Sequence, residues 1–211
     1  MAKTVQELLN MMEELDTYSF ATVDALGFPR VRIISALHFE ADTIYFYTAR
    51  GKNFARELDE SGGRLEILAY SEQRNDTIRL SCIAERVPQD QQRHWIDVQF
   101  SEQSYLYNVY PGETNEIGVM YVVRDGEFEW FNLASKPITR ECVPFGAGIV
   151  HEKGFRVDPD LCVCCGTCED VCPQRVIHMG PTSTYVIDES HCLHCGNCFE
   201  HCPADAIKRL G

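Results

Sequence analysis

The sequence predicts a mainly β protein, in which an antiparallel barrel with flanking helices precedes a small α+β module rich in cysteine. From Tyr18 to Leu133, short runs of β-branched and aromatic residues alternate with turns marked by Gly, Pro or Asp. After residue 154 the cysteines crowd together, and one spacing pattern occurs twice. A length of 211 residues provides room for one ordinary domain and a small appendage.

The first expected element is an amphipathic helix. Thr4 and Glu7 have the spacing of a capping box, and the helix carries Val5, Leu8, Leu9, Met12 and Leu15. The elements expected next are strands over 18–24, 30–39 and 43–49, a helix over 52–61, strands over 64–70 and 77–87, and a helix over 89–100. Strands over 119–123 and 128–133, joined by a turn at Arg124-Asp125-Gly126-Glu127, should form a closing hairpin.

The C-terminal module carries the motif Cys-x-x-Cys-Gly-x-Cys-x-x-x-Cys-Pro at Cys162 and again at Cys192. This spacing is typical of two 4Fe-4S clusters, in which three closely spaced thiolates hold one cluster and the fourth reaches the other. The predicted ligand sets are therefore crossed: Cys162, Cys165, Cys168 and Cys202 for one cluster, and Cys192, Cys195, Cys198 and Cys172 for the other.

The duplication extends beyond these ligands, because Gly166 matches Gly196 and Ile177 matches Ile207. The segment 155–210 resembles a bacterial-type two-cluster ferredoxin, which implies a small pseudo-symmetric fold. A pair of zinc knuckles and a disulfide framework are the alternatives, and neither explains two Cys-Pro ends. Cys164 and its counterpart His194 are interpreted as non-ligands, and Cys82 and Cys142 receive no role.

Composition restricts the class of partner and the compartment. The net charge is −13, and the module from His151 onward contributes 5 basic and 9 acidic residues. Nucleic acid and membrane surfaces are poor partners for such a chain, whereas a basic redox partner is a reasonable one. The start lacks the pattern of a secretory signal, no run is apolar enough to span a membrane, and the cysteines suit metal binding in a reducing cell. A cytoplasmic protein is expected.

Three motifs in the larger domain point to a known family: Gly27-x-Pro29-x-x-Arg32, then Phe46-Tyr-Thr-Ala-Arg-Gly-Lys52, then Glu127-Phe-Glu-Trp-Phe131. Together they resemble the pyridoxamine 5'-phosphate oxidase-like flavoproteins. The resemblance implies a split β-barrel of the FMN-binding type and a homodimer with FMN at the subunit interface. We therefore expect the barrel over 1–135, a linker over 136–154 and the two-cluster module over 155–211.

The expected FMN contacts follow partly from charge, because a phosphate requires cations and hydroxyl groups around it. Arg30, Arg32, Arg50, Lys52 and Arg56 form a basic stretch in an acidic protein, with Thr48 as a hydroxyl donor. By resemblance, Arg32, Ile33, Ile34 and Ser35 follow the flavin ring, and Tyr47 and Thr48 lie near the ribityl phosphate. Asn53 and Gln73 are further polar candidates, and Trp130 is placed near the dimer interface. The plain alternative is that these arginines only line a solvent face.

The sequence departs from the oxidase that names the family, since it offers no segment for a pyridoxal-type substrate. Three functions stay open. The first is an iron-sulfur flavoenzyme that transfers electrons to or from a small organic substrate. The second is an electron-transfer protein without a substrate of its own. The third is a module that binds haem or a deazaflavin, with His38 as the haem-ligand candidate.

Overall fold

The protein is described here by a computed structural model, which covers residues 2–211. The chain divides into two compact units. The barrel unit comprises the residues up to Ser71, then Thr77–Glu129 and Val143–Ile149. The cysteine unit comprises Glu72–Asp76, Trp130–Cys142 and Val150–Gly211.

Helix α1 (Val5–Glu13) begins as predicted, because the Thr4 hydroxyl accepts the Glu7 amide and the Glu7 carboxylate accepts the Thr4 amide. It buries Leu8, Leu9 and Met12. The other helices of the barrel unit are α2 (Asn53–Ser61), α3 (Gln92–Glu102) and the short α4 (Leu106–Val109).

The main sheet is antiparallel in its pairings β1–β2, β1–β5, β3–β4 and β4–β7, and its strand order is β2-β1-β5-β6-β7-β4-β3. Its strands are β1 (Tyr18–Val23), β2 (Pro29–Ile34), β3 (Leu37–Glu40), β4 (Thr43–Ala49), β5 (Arg64–Ser71), β6 (Asp76–Arg86), β7 (Gly118–Asn132) and β8 (Thr139–Phe145), which pairs with β7. The two edge strands β2 and β3 are consecutive in the chain, with only Ser35 and Ala36 between them. The sheet must therefore curl toward closure, which confirms the mainly β split-barrel prediction.

Strand β4 is buried on both faces, because helices cover it from opposite sides. Phe46 packs edge-on against Phe20, with ring centroids 5.1 Å apart, on the side of α2. On the other side Tyr45 stacks on Trp95 of α3 at 3.8 Å. This arrangement places β4 in the core, directly before the exposed start of α2.

Two expectations about the strands were wrong. The region 30–39 breaks into β2 and β3, and 118–132 forms one continuous strand rather than a hairpin. Gly126 is extended in β7 and not in a turn. A Cβ there would lie 2.5 Å from the Ser81 carbonyl oxygen, so glycine permits close strand contact. The segment expected as a linker also contains a regular strand, β8.

The cysteine unit reflects the sequence repeat. Strand β9 (Gly154–Val157) pairs with β12 (Ile207–Leu210), and β10 (Ile177–Met179) pairs with β11 (Tyr185–Ile187). Short helices α5 (Thr167–Asp170) and α6 (Asn197–Glu200) follow Gly166 and Gly196, which both have φ near +80°. The core of the unit joins Phe155, Ile177, Tyr185 and Ile207 to Cys168 and Cys198.

No helix within residues 2–211 is long and apolar enough to cross a membrane.

Candidate cofactor sites

Two cavities in the cysteine unit collect the motif cysteines in groups of four. Cavity A is lined by the motif cysteines Cys162, Cys165, Cys168 and Cys202, and also by Cys164. Cavity B is lined by Cys172, Cys192, Cys195 and Cys198. Each cavity thus takes three motif cysteines from one repeat and the fourth from the other, the arrangement that the crossed ligand sets require.

Matching backbone conformations position the two sets. Cys164 and His194 both have φ near +57°, and the residues after the Cys-Pro ends, Arg175 and Asp205, are also left-handed. Backbone amides donate to two of the motif cysteine sulfurs: His194 N to Cys192 Sγ at 3.4 Å and Ala206 N to Cys202 Sγ at 3.3 Å. Such bonds stabilise a thiolate that binds iron.

The environment of the thiols differs from one cysteine to the next. Burial raises the pKa of the Cys198 thiol to about 11 and also raises the pKa of Cys168 and Cys192. A hydrogen bond with Thr167 lowers the pKa of Cys165. Iron ligation requires the thiolate, so iron at these cavities would have to hold the buried thiols deprotonated.

The remaining cysteines lie apart from these roles. Cys164 is exposed at the rim of cavity A, and its Sγ donates to the Ser183 carbonyl at 2.9 Å. Cys82 is buried, and burial raises its thiol pKa. Within residues 2–211, no three His, Cys, Asp or Glu side chains form a group that fits a single metal ion. Four thiols spread around a cavity, with apolar neighbours such as Ile177 or Ile207, instead fit the donor set of a cluster.

The barrel unit contains a cleft of about 700 Å³ between β2, the end of β4 and the start of α2. Seven of the predicted flavin contacts line it: Arg30, Arg32, Ile33, Ile34, Thr48, Lys52 and Asn53. Such a volume is ordinary for a site that binds a small cofactor. The fold therefore brings β2 and the Thr48–Asn53 segment together, although they are separate in the sequence.

One end of the cleft is suited to an anion. The first amides of α2 have no intrahelical partner, as at the start of any helix. Lys52 is the N-cap of α2, and its side chain makes no capping hydrogen bond with them. The Lys52 ammonium lies 5.8 Å from the ring centroid of Tyr110. Thr48 and Arg56 line the same cleft, and Arg56 donates to Asn53 Oδ1 at 3.1 Å. Arg56 also lies 3.9 Å from a Glu60 carboxylate oxygen. Cations, a hydroxyl and helix amides thus line one cleft, and these are the groups that a phosphate requires.

Arg32 lies in the cleft but is held by partners of its own. Its guanidinium donates to Thr22 Oγ1 at 2.8 Å and to Glu57 Oε2 at 2.6 Å, and it lies 4.5 Å from the Phe54 ring centroid. Glu57 is only 5% exposed. Arg32 therefore compensates a buried carboxylate, and Arg30 is similarly paired with Asp24 at 2.7 Å.

The other predicted flavin contacts lie elsewhere. Tyr47 is buried beside Gly118, and its hydroxyl donates to the Asn115 carbonyl. The Arg50 guanidinium donates to the carbonyls of Glu116 and Gly118, and Ser35 shares a hydrogen bond with Tyr105. Gln73 and Trp130 belong to the cysteine unit, where Trp130 Nε1 donates to Asp76 at 3.0 Å.

His38, the haem-ligand candidate, also lies outside this cleft. Its Nδ1 is 2.8 Å from a Glu102 carboxylate oxygen, and its ring lies near Trp95 and Tyr45.

Sequence reasoning missed Phe54 and Glu57 as lining residues of the cleft. Glu57 had a detectable signal, because it falls on the face of α2 that buries Phe54 and Leu58. A carboxylate on a buried face needs a cationic or hydroxyl partner. Arg32 on β2 was the available cation.

The fold and the two kinds of site define a split β-barrel protein that carries an iron-sulfur module. Residues 1–130 match the family model for pyridoxamine 5'-phosphate oxidase, and residues 153–206 match the model for a 4Fe-4S dicluster domain. The chain therefore belongs to the pyridoxamine 5'-phosphate oxidase family, with a 4Fe-4S dicluster domain at its C-terminal end.

Among curated proteins, a pyridoxine/pyridoxamine 5'-phosphate oxidase of Cereibacter sphaeroides is 37% identical over 68 residues, which is 32% of this chain and 34% of that protein. The chain thus matches about a third of the length of this relative.

Solved structures share the barrel fold at low identity. A NimC/NimA family protein from Clostridium acetobutylicum has a TM-score of 0.55 at 15% identity, covering 67% of this chain and 92% of that one. A pyridoxamine 5'-phosphate oxidase-related, FMN binding protein from Nostoc punctiforme has a TM-score of 0.51 at 16% identity, covering 67% and 94%.

Proposed function

We propose that this protein is an iron-sulfur flavoprotein oxidoreductase that moves electrons between two 4Fe-4S clusters and FMN, and to or from a small organic substrate. The observation that supports the proposal is the presence, in one chain, of two cavities that each contain four motif cysteines and a cleft lined by cationic side chains on a split β-barrel. An FMN accepts or donates electron pairs, whereas a cluster transfers single electrons. The proposed role is to convert between the two.

Residues of the barrel would bind and orient the flavin. Lys52, Arg56 and the first amides of α2 would hold the FMN phosphate. The Thr48 hydroxyl would donate a further hydrogen bond to the phosphate. Ile33 and Ile34 supply an apolar wall for the ring. The Arg32–Glu57 pair would fix that wall relative to α2, because it joins β2 to the helix.

Four thiols at each cavity would hold one cluster. The strands and apolar residues around them limit solvent access, since Cys168, Cys192 and Cys198 are no more than 9% exposed. The crossed sets would make each cluster a covalent link between the two repeats, so metal binding and folding of the module are coupled.

The proposed electron transfer between clusters and FMN is tested by an anaerobic stopped-flow experiment. The experiment follows cluster and flavin absorbance after rapid reduction of the clusters. We expect FMN in the purified protein and an electron-transfer rate that is unchanged over a tenfold range of protein concentration. A rate proportional to concentration indicates transfer between molecules and contradicts the proposal. A protein that binds no FMN would contradict the proposal before any rate is measured.

We also propose that the protein is a homodimer that pairs through β2. This edge strand, the turn before it and the last residue of β1 expose Val23, Leu26, Phe28, Val31 and Ile33, each at least 54% accessible. An exposed apolar edge strand is avoided in monomers because it invites association. Some of these residues also line the cleft, so a second copy would complete its open side.

Replacing Ile33 by Asp should shift the protein from dimer to monomer in sedimentation velocity, because the charge would be buried in the interface. The matched control is Ile149→Asp, since Ile149 is 73% exposed in the same unit and lies outside the edge strand. Monomer at all concentrations for the unaltered protein, or dimer for the Ile33 variant, would refute this interface.

A further inference from the structure

The sequence repeat makes the two cluster cavities pseudo-equivalent, but one segment of the cysteine unit lies beside the residues of cavity B. This segment, Trp130–Cys142, is termed the strap. His191 Nδ1 lies 2.7 Å from the Ile138 carbonyl oxygen, and Ile138 N donates to Gln174 Oε1 at 3.1 Å. Since His191 precedes Cys192 and Gln174 lines cavity B, the strap lies beside cavity B.

The strap brings a cation to a ligand of cavity B. Arg140 Nε donates to the carbonyl oxygen of Cys192 at 3.5 Å. Its guanidinium carbon lies 4.4 Å from the ring centroid of Phe131, so a cation-π contact within the strap holds the group in place. The strap occurs once in the chain, and the duplication therefore gives cavity A no corresponding arginine from a second strap.

The repeats themselves add to this difference. After the Cys-Pro ends, the loop from Cys172 in cavity B carries Arg175, whereas the loop from Cys202 in cavity A carries Asp205 in the same left-handed conformation. Near cavity A, the Glu169 carboxylate also interacts with the hydroxyl of Tyr185, a lining residue.

Each cavity also has a nearby charge that would shift its potential in the opposite direction. Glu189 acts on Cys192 in cavity B, and Lys208 Nζ donates to the Asp205 carbonyl near cavity A. Cavity B nevertheless has the Arg140 guanidinium beside Cys192, and the loop after its fourth cysteine carries Arg175 where the loop of cavity A carries Asp205.

We propose that the two clusters differ in reduction potential, that the cluster of cavity B has the higher one, and that Arg140 sets much of the difference. Reduction adds one electron from a one-electron donor, changes the core from 2+ to 1+, and makes or breaks no bond. The negative charge added at cavity B is stabilised by the nearby guanidinium, since cluster potentials respond to local charge and hydrogen bonds. The inference rests on the proposed ligand sets and is independent of the flavin.

The test is an anaerobic potentiometric titration of the full-length protein, followed by electron paramagnetic resonance of the reduced clusters. We expect two reduction steps. Arg140→Gln should reduce the equilibrium constant for the reduction step at higher potential about tenfold, which lowers its reduction potential by about 59 mV for one electron. The reduction potential of the other step should not change. Arg140→Lys retains the positive charge and should keep most of the difference in reduction potential between the two clusters.

Arg209→Gln is the matched control, because Arg209 is exposed on β12 and its loss changes the net charge equally. It should move neither step by a comparable amount. Iron content is measured for every variant to show that both clusters are present.

Three results would overturn the inference. In the first, Arg140→Gln leaves both steps unchanged or lowers both equally. In the second, it lowers the step that already has the lower potential. In the third, the unaltered protein contains fewer than two clusters, which would reject the proposed ligand sets together with this inference.

Discussion

Replacing Cys172 by Ser is expected to abolish or strongly alter the cluster of cavity B, with a loss of up to about four irons per chain. The sequence neighbours of Cys172 belong to the first repeat, but Cys172 lines the cavity of the second. Its effect should therefore match that of Cys192→Ser, and both variants should change the same electron paramagnetic resonance signal. Cys202→Ser and Cys162→Ser should change the other signal.

Paired substitutions make this prediction sharper. Cys172→Ser with Cys192→Ser removes two ligands from one cavity, whereas Cys172→Ser with Cys162→Ser removes one ligand from each. Only the second pair should affect both signals. Cys164→Ser is the control and should retain the unaltered iron and sulfide content, because the Cys164 thiol is directed to Ser183. The reverse pattern, with Cys172 and Cys162 acting on one signal, would refute the crossed sets.

Replacing Lys52 by Ala is expected to weaken FMN binding by about tenfold to a hundredfold, or about 1.5 to 3 kcal/mol, because a charge-assisted contact to phosphate is lost. Lys52 caps no helix amide with its side chain, so the substitution should leave α2 intact. The dissociation constant is measured by titrating flavin-free protein with FMN and following flavin fluorescence. Lys136→Ala removes the same charge at an exposed position of the cysteine unit and should not change binding.

Arg32 provides an internal comparison for this experiment. Arg32→Ala leaves Glu57 buried without its cation, so we expect a loss of stability to urea in addition to any loss of affinity. Lys52→Ala should weaken FMN binding without that loss of stability. An unchanged dissociation constant in both variants would refute the placement of the phosphate.

Local patterns in the sequence were enough for much of the fold. The capping box at Thr4 and Glu7 forms as predicted because both partners lie within one helical turn. The cysteine spacing identified the dicluster domain because cluster ligation fixes the distances between neighbouring ligands. The alternation of apolar and turn residues likewise predicted the mainly β barrel, since it reflects the two faces of a strand.

Contacts between distant residues decided the rest. The segment around Gly126 has the composition of a turn. Strand β6 nevertheless approaches Gly126 so closely that a side chain there would meet the Ser81 carbonyl oxygen. Tyr47 and Arg50 belong to the motif that suggested flavin contacts, but both bind carbonyl groups at 115–118 and neither lines the cleft. Arg32 and Glu57 meet across 25 positions to satisfy a buried charge. The sequence by itself determined which helices, strands and cysteine motifs form, because short-range geometry governs them. Only the tertiary structure decided which charges are free to bind a ligand, because that depends on partners supplied by other elements.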